Sequence, residues 1–221
     1  MLRSCQFNLN QAKRSRFWLF LNGQGRKHLE IATIREVVFK KAQMEREGIR
    51  VKSIVIYNSQ TGFSEQYAKW IAQALKAECI SLKEAQKFDF SSYQAIVFGS
   101  WACAGKIQKV DWFKKMAVHW PDKKLAVFCT GAAPMPSPEL QKALNNFSGD
   151  LERIGRFYFP GGLNYAKMGS FSRLAMKGLL TALKAKKNKT KEDELMIKMI
   201  NSSYTLAKKS YIEPLVQFLL D

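Results

Sequence analysis

The chain has 221 residues, 47% of them apolar, which suffices for one sizeable core with an appendage. Its formal net charge of +18 attracts acidic partners (nucleic acid, anionic lipid or a polycarboxylate substrate) without choosing among them. Cys5, Cys79, Cys103 and Cys129 form no CxxC pair and the only histidines are His28 and His119, so a metal site, a disulfide scaffold and a histidine-based triad find little support. No apolar run approaches the roughly 20 residues of a membrane span, and Phe17 to Leu21 falls short of the about 7–15 residues of a secretory core. A cytoplasmic protein is expected.

Residues 1–50 differ from the rest. They carry 11 Lys/Arg against 4 Asp/Glu, with a basic cluster at Lys13, Arg14 and Arg16 beside Phe17-Trp18-Leu19-Phe20, and one conceivable helix from Ile31 to Met44. A nucleic-acid or targeting arm is the weaker reading, and nucleic acid is not the expected partner. Glu45-Arg46-Glu47-Gly48 is encodable by a purine-rich stretch resembling a ribosome-binding site, so translation is expected to start near Val51 or Met44, leaving this extension outside the native protein. The intact mass of native protein tests that.

From residue 51 the pattern is regular. Val51 to Tyr57 is β-branched and short, as a buried parallel strand should be. Ser64 to Glu78 follows a helical period, with Ala68, Ile71, Ala72 and Leu75 on one face. Cys79 to Leu82 reads as a weak second strand and Tyr93 to Gly99 as a third. Ile107 to Trp120 reads as a helix with Ile107, Val110, Phe113 and Ala117 aligned, and it takes in His119, read as structural. Lys124 to Cys129 is a fourth strand. Ser137 and Pro138 supply an N-cap and a first-turn proline for a helix that buries Leu140, Ala143, Leu144 and Phe147. Arg156 to Phe159 is a fifth strand, stopped by Pro160-Gly161-Gly162. Residues 163–185 hold a further helix with Leu174, Ala175, Leu179 and Leu183 in register. A basic linker runs from Lys184 to Lys191, and Glu192 to Leu220 is helical, with a break before Pro214. The β-α alternation predicts a parallel sheet with helices on both faces, joined by right-handed crossovers.

Ligands of such sheets bind beyond the carboxyl ends of the strands. Three loops leave those ends. Asn58-Ser59-Gln60-Thr61-Gly62-Phe63-Ser64 offers successive backbone N–H groups at a helix start, with hydroxyls from Ser59, Thr61 and Ser64, which suits a phosphate. It has no lysine, so it is not a Walker-type site. Gly99-Ser100-Trp101-Ala102-Cys103-Ala104-Gly105-Lys106 has small residues that admit a flat ligand and a tryptophan able to stack on it. Cys103 is read as space-filling rather than redox-active. Thr130-Gly131-Ala132-Ala133-Pro134-Met135-Pro136-Ser137 is small and rigid, able to offer backbone groups to a heteroaromatic edge.

In combination these loops resemble the flavodoxin family. Ser59-Gln60-Thr61-Gly62-Phe63-Ser64 matches that family's phosphate-loop pattern, T/S-x-T-G-x-T/S, directly after the first strand. The resemblance covers about residues 51–160. It implies a flavodoxin-like, doubly wound, five-stranded parallel sheet of order 2-1-3-4-5 over residues 51–221, with a basic helical elaboration from about 161. It also implies FMN as cofactor, its phosphate held at Ser59, Gln60, Thr61, Gly62, Phe63 and Ser64 without a charged side chain, and its ring bordered by Ser100, Trp101, Ala102 and Gly105 and by Thr130, Gly131 and Ala132. Gly161-Gly162-Leu163-Asn164-Tyr165, followed by a basic amphipathic helix, looks closest to the branch that includes menaquinone-dependent protoporphyrinogen dehydrogenase. Two features depart from the electron-carrier flavodoxins: the third loop lacks an aromatic residue to cover the flavin, and the domain is basic where the carriers are acidic.

The expected function is therefore an FMN-dependent oxidoreductase acting on a porphyrinogen-type or other acidic small molecule, with a quinone among the acceptors considered and no catalytic side chain named. The alternative is an electron carrier docking on protein redox partners. A third reading lays the Leu174–Leu183 helix, with Lys177 and Lys184, on the inner face of a membrane; packing of that helix on the sheet is the favoured account. Oligomeric state is not legible.

Overall fold

The computed structural model describes residues 51–221. The extension and the helix expected within residues 1–50, Met44 included, lie outside the described residues. In chain order the elements are β1 (Ser53–Tyr57), α1 (Phe63–Leu75), β2 (Glu78–Ser81), α2 (Leu82–Ala85), β3 (Ala95–Cys103), β4 (Lys106–Ile107), α3 (Val110–Ala117), β5 (Lys124–Gly131), α4 (Pro138–Asn145), β6 (Gly155–Pro160), β7 (Gly162–Leu163), α5 (Ser170–Ala185), α6 (Lys191–Ile200), β8 (Tyr204–Thr205) and α7 (Glu213–Leu220).

The principal strands pair in parallel in the order β2-β1-β3-β5-β6. With the two-residue β4 set aside, this is the expected 2-1-3-4-5 order. The strand sequences are apolar on both faces because helices cover both. Ile54, Ile56, Ile96, Phe98, Leu125 and Val127 pack toward α3, where the Phe98 and Phe113 rings stack with centroids 5.3 Å apart. Val55, Val97, Ala126, Phe128 and Phe159 pack on the opposite side against Tyr67, Ala68 and Ile71 of α1 and Leu215, Val216 and Leu219 of α7. Each fully buried side chain of this kind contributes roughly 1.5–3 kcal/mol of transfer free energy.

α1 begins at Gly62, whose φ of 96° lies in the left-handed region, and ends at Lys76, also left-handed. Ser137 caps α4, accepting from the Leu140 N–H with Pro138 in the first turn, as its sequence predicts.

Several elements differ from expectation. The helix predicted over 107–120 starts only at Val110, because Ile107 pairs with Ala102 in a hairpin; His119 lies after the helix and is exposed. β3 and β5 run on through Trp101 and Thr130, so Ser100, Trp101, Ala102, Thr130 and Gly131 are strand residues, where loops were expected. The helix predicted over 163–185 begins at Ser170: Gly162 and Leu163 instead pair with Thr205 and Tyr204. Within α5 the buried side is made by Leu183, with Met176 and Leu180 beside it, packed with Leu163, Met168 and Ile200. Leu174 and Leu179, expected in the buried stripe, are exposed, as are Leu195 and Met196 on α6. Among the described residues, no helix is long and apolar enough to cross a membrane.

Candidate functional site

The carboxyl ends of β1, β3 and β5 are joined by polar side chains. Ser64, in the first turn of α1, and Thr130, near the end of β5, share a hydroxyl–hydroxyl hydrogen bond of 2.7 Å. The Asn58 amide donates to the Ser100 hydroxyl at 3.0 Å, and the Asn58 N–H donates to the Gly99 carbonyl at 2.8 Å. Ser64, Ser100 and Thr130 are all buried. Their hydroxyls hold the three strand ends in register, so Ser64 contributes an N–H rather than a hydroxyl to the loop surface.

The 58–64 loop keeps open donors. Ser59 Oγ accepts from the Gly62 N–H at 3.1 Å, which closes the turn and leaves the Ser59 O–H able to donate outward. Among the described residues, no acceptor is bonded to the N–H groups of Gln60, Thr61, Phe63 or Ser64. These donors cluster at the positive end of α1, an arrangement that favours an anion. The Phe63 ring turns away from this surface: a Cβ added at Gly161 or Gly162 would lie 3.2 or 3.0 Å from it. The donor set thus fits a phosphate.

The second expected loop is a hairpin. Cys103 pairs with Lys106, and the turn between them is Ala104-Gly105, with φ of 48° and 72°. Both values are positive, as a two-residue hairpin turn of the I′ type requires, which explains the small residues there. A Cβ at Gly105 would fall 2.6 Å from Glu139 Cβ, so the hairpin tip rests on α4. Trp101 and Ala102 are half-buried on the sheet side of this hairpin. In the third loop the Ala132 and Ala133 carbonyls accept from the hydroxyls of Tyr204, at 2.8 Å, and Tyr158, at 2.6 Å. Burial raises the pKa of the Tyr158 phenol, and that of Tyr204 to about 12, so both remain donors.

One flank of the phosphate-like loop is made by the segment after β6. The Ser172 hydroxyl donates to Gln60 Oε1 at 3.2 Å, and the Lys167 ammonium lies 3.7 Å from where a Gly62 Cβ would stand. A cleft of 410 Å³ there is lined by residues that include Thr61, Gly62, Glu65, Lys69, Asn164 and Lys167. Sequence reasoning put Lys167 inside a helix and missed it; Gly169 ahead of the Ser170–Ala185 pattern, with Asn164 upstream, is the signal that a turn stands there instead.

Residues 54–191 match the flavodoxin domain family, more than half of the chain. The chain belongs to that family. The flavodoxin domain so defined takes in the phosphate-like loop, every principal strand and helix α5. No curated protein matches the chain. Solved structures that are similar include a flavoprotein in complex with FMN from Lactobacillus acidophilus NCFM, at 15% identity and TM-score 0.36, covering 49% of this chain and 91% of that one. A WrbA-like flavodoxin from Agrobacterium tumefaciens is similar at 15% identity and TM-score 0.38, covering 68% of this chain and 96% of that one. Rubredoxin oxygen:oxidoreductase from Desulfovibrio gigas is similar at 14% identity and TM-score 0.37, covering 84% of this chain and 42% of that one.

Proposed function

We propose that the protein is an FMN-dependent oxidoreductase of the flavodoxin family. The observation that carries this reading is the set of open N–H groups from Gln60 to Ser64 at the start of α1, on the loop that follows β1. Those groups, with the hydroxyls of Ser59 and Thr61, would hold the phosphate of FMN. Trp101, Ala102, Gly105, Gly131 and Ala132 would border its ring, while Ser100 and Thr130 set the positions of the strand ends beneath it. When bound, the flavin supplies the electron-transfer chemistry, and the protein supplies binding, orientation and electrostatics. Buried hydroxyls and tyrosine-held carbonyls pre-shape the site, so little ordering remains to be done on binding.

Absorption spectroscopy tests the cofactor. Protein mixed with FMN and freed of excess should retain a two-band flavin spectrum. A colourless protein that also leaves FMN fluorescence unquenched would overturn the reading.

Charge supports an acidic substrate, and the family branch narrows it. Residues 161–200 carry nine Lys/Arg against three Asp/Glu, which favours an acidic small molecule of the porphyrinogen type with a quinone as acceptor, as in the branch that includes menaquinone-dependent protoporphyrinogen dehydrogenase. Oxidation of protoporphyrinogen by the FMN-loaded protein with a quinone is the expected result, and no turnover would remove that substrate. Rapid reduction by a flavodoxin reductase without small-molecule turnover would favour the electron carrier instead.

The exposed side chains Leu174, Leu179, Leu195 and Met196, on helices that also carry Lys177, Lys184, Lys191 and Lys198, favour peripheral contact with an anionic membrane. Co-sedimentation with phosphatidylglycerol vesicles at low salt is expected, and its absence would overturn the contact.

A further inference from the structure

We propose that Lys167 supplies the phosphate loop with the cation that the loop's own sequence lacks, an inference that rests on the FMN reading above. The loop from Ser59 to Ser64 contains no basic residue. Lys167, more than a hundred positions later, brings its ammonium to 3.7 Å from the Gly62 Cβ position, against the residue that opens α1.

The ammonium is available. Glu65, the carboxylate on the first turn of α1, is already matched by Lys69 at 2.5 Å. No described hydrogen bond uses the Lys167 side chain, which is exposed along the cleft.

Its backbone, by contrast, is fixed. The Lys167 N–H donates to Asn164 Oδ1 at 3.2 Å, and the Arg173 guanidinium donates to the Ala166 carbonyl at 3.2 Å. Met168 is buried beside Leu163 and Ile200. Ser172 is bonded to Gln60 in the loop itself. A lysine ammonium held near the positive end of a helix is unfavourable by itself, since the two charges have the same sign. A phosphate between them reverses that sign and gains a charge-assisted hydrogen bond. The elaboration after β6 therefore delivers Lys167 to the phosphate loop and makes binding selective for the phosphorylated flavin.

Fluorescence titration of FMN and of riboflavin, which lacks the phosphate, tests this with wild-type protein, Lys167→Gln and Lys167→Arg. Lys167→Gln should weaken FMN binding about tenfold, equivalent to ~1.4 kcal/mol, and leave riboflavin binding unchanged. Lys167→Arg should retain most of the FMN affinity. FMN binding should weaken with added salt more steeply in wild type than in Lys167→Gln. Unchanged thermal midpoints would exclude a folding defect as the cause. Wild type that binds FMN, with Lys167→Gln binding it equally well, would overturn the role of Lys167 alone. Wild type that binds neither flavin would overturn the cofactor reading and this inference with it.

Discussion

Ser64 and Thr130, 66 positions apart, share a hydrogen bond of 2.7 Å in which neither hydroxyl reaches solvent. The bond ties the first turn of α1 to the end of β5, and Thr130 in turn lies 3.5 Å from the Ser100 carbonyl of β3. Thr130→Val preserves the shape but leaves the Ser64 hydroxyl buried without a partner. A loss of about 1–3 kcal/mol is expected in urea unfolding. Adding Ser64→Ala to that variant should cost less than the two single losses combined, because the orphaned hydroxyl is then gone. Strict additivity would mean that the two residues are not coupled.

Gly99 pairs directly with Phe128 on the neighbouring strand, and a Cβ at Gly99 would fall 1.9 Å from the Phe128 ring. The ring occupies the space that the glycine leaves. Gly99→Ala should therefore destabilise the protein by about 1–3 kcal/mol, the usual cost of overpacking a core. Phe128→Leu in the same background should recover part of it, as chemical denaturation can measure.

Asp193 caps α6. Its carboxylate accepts from Lys186 at 2.8 Å and from the Thr190 N–H at 3.0 Å, and Lys186 foremost holds its pKa below the usual carboxylate range. Because the folded pKa is depressed, the stabilisation is complete above the unfolded value of about 3.9 and is lost as pH falls through the folded one. Protection of the α6 amides against hydrogen exchange should accordingly drop below about pH 4. In Asp193→Asn it should be lower at neutral pH and flat across that range; an unchanged acid response would show that another group is responsible.

The cysteines differ in access. Cys103 is exposed on the β3–β4 hairpin, whereas Cys129 is buried and Cys79 half-buried. Burial raises both of the latter thiols, Cys79 to about 11. A maleimide at pH 8 should modify Cys103 at least about tenfold faster than either, because the thiolate is the reactive form. Peptide mapping reads the order, and equal rates in the native state would contradict this account of the core.

The parallel sheet was legible because buried parallel strands are apolar throughout and each is followed by a periodic helix, as in Val55–Ile71 and Val97–Phe113, whereas the strand order came from the family resemblance. The 59–64 turn at the start of α1 was legible because such turns depend on local chemistry, here a glycine at positive φ beside hydroxyls. The Ala102–Ile107 hairpin was missed because its apolar residues, Ile107 and Val110, fit a helical spacing equally well, and only the Ala104-Gly105 turn betrays it. The outward aspect of Leu174 and Leu179 was hidden for a related reason: periodicity identifies an apolar stripe, but the packing of Met176, Leu180 and Leu183 decides which stripe turns inward. Lys167 escaped because its relation to Gly62 is long-range and exists only after the chain has turned back from β6.

The ends of the segment that carries Lys167 meet. The Gly161 N–H donates to the Gly131 carbonyl at 2.7 Å, and the Leu206 N–H donates to the Gly161 carbonyl, also at 2.7 Å. Tyr67 clamps the same point, donating to the Pro160 carbonyl while accepting from the Lys208 N–H. Everything between leaves and re-enters through one doorway, and α7 on the far side still completes the core against α1. The segment is thus a closed excursion: its two ends are tied to one glycine, so what it carries to the loop is set within the segment and the sheet's own path is undisturbed.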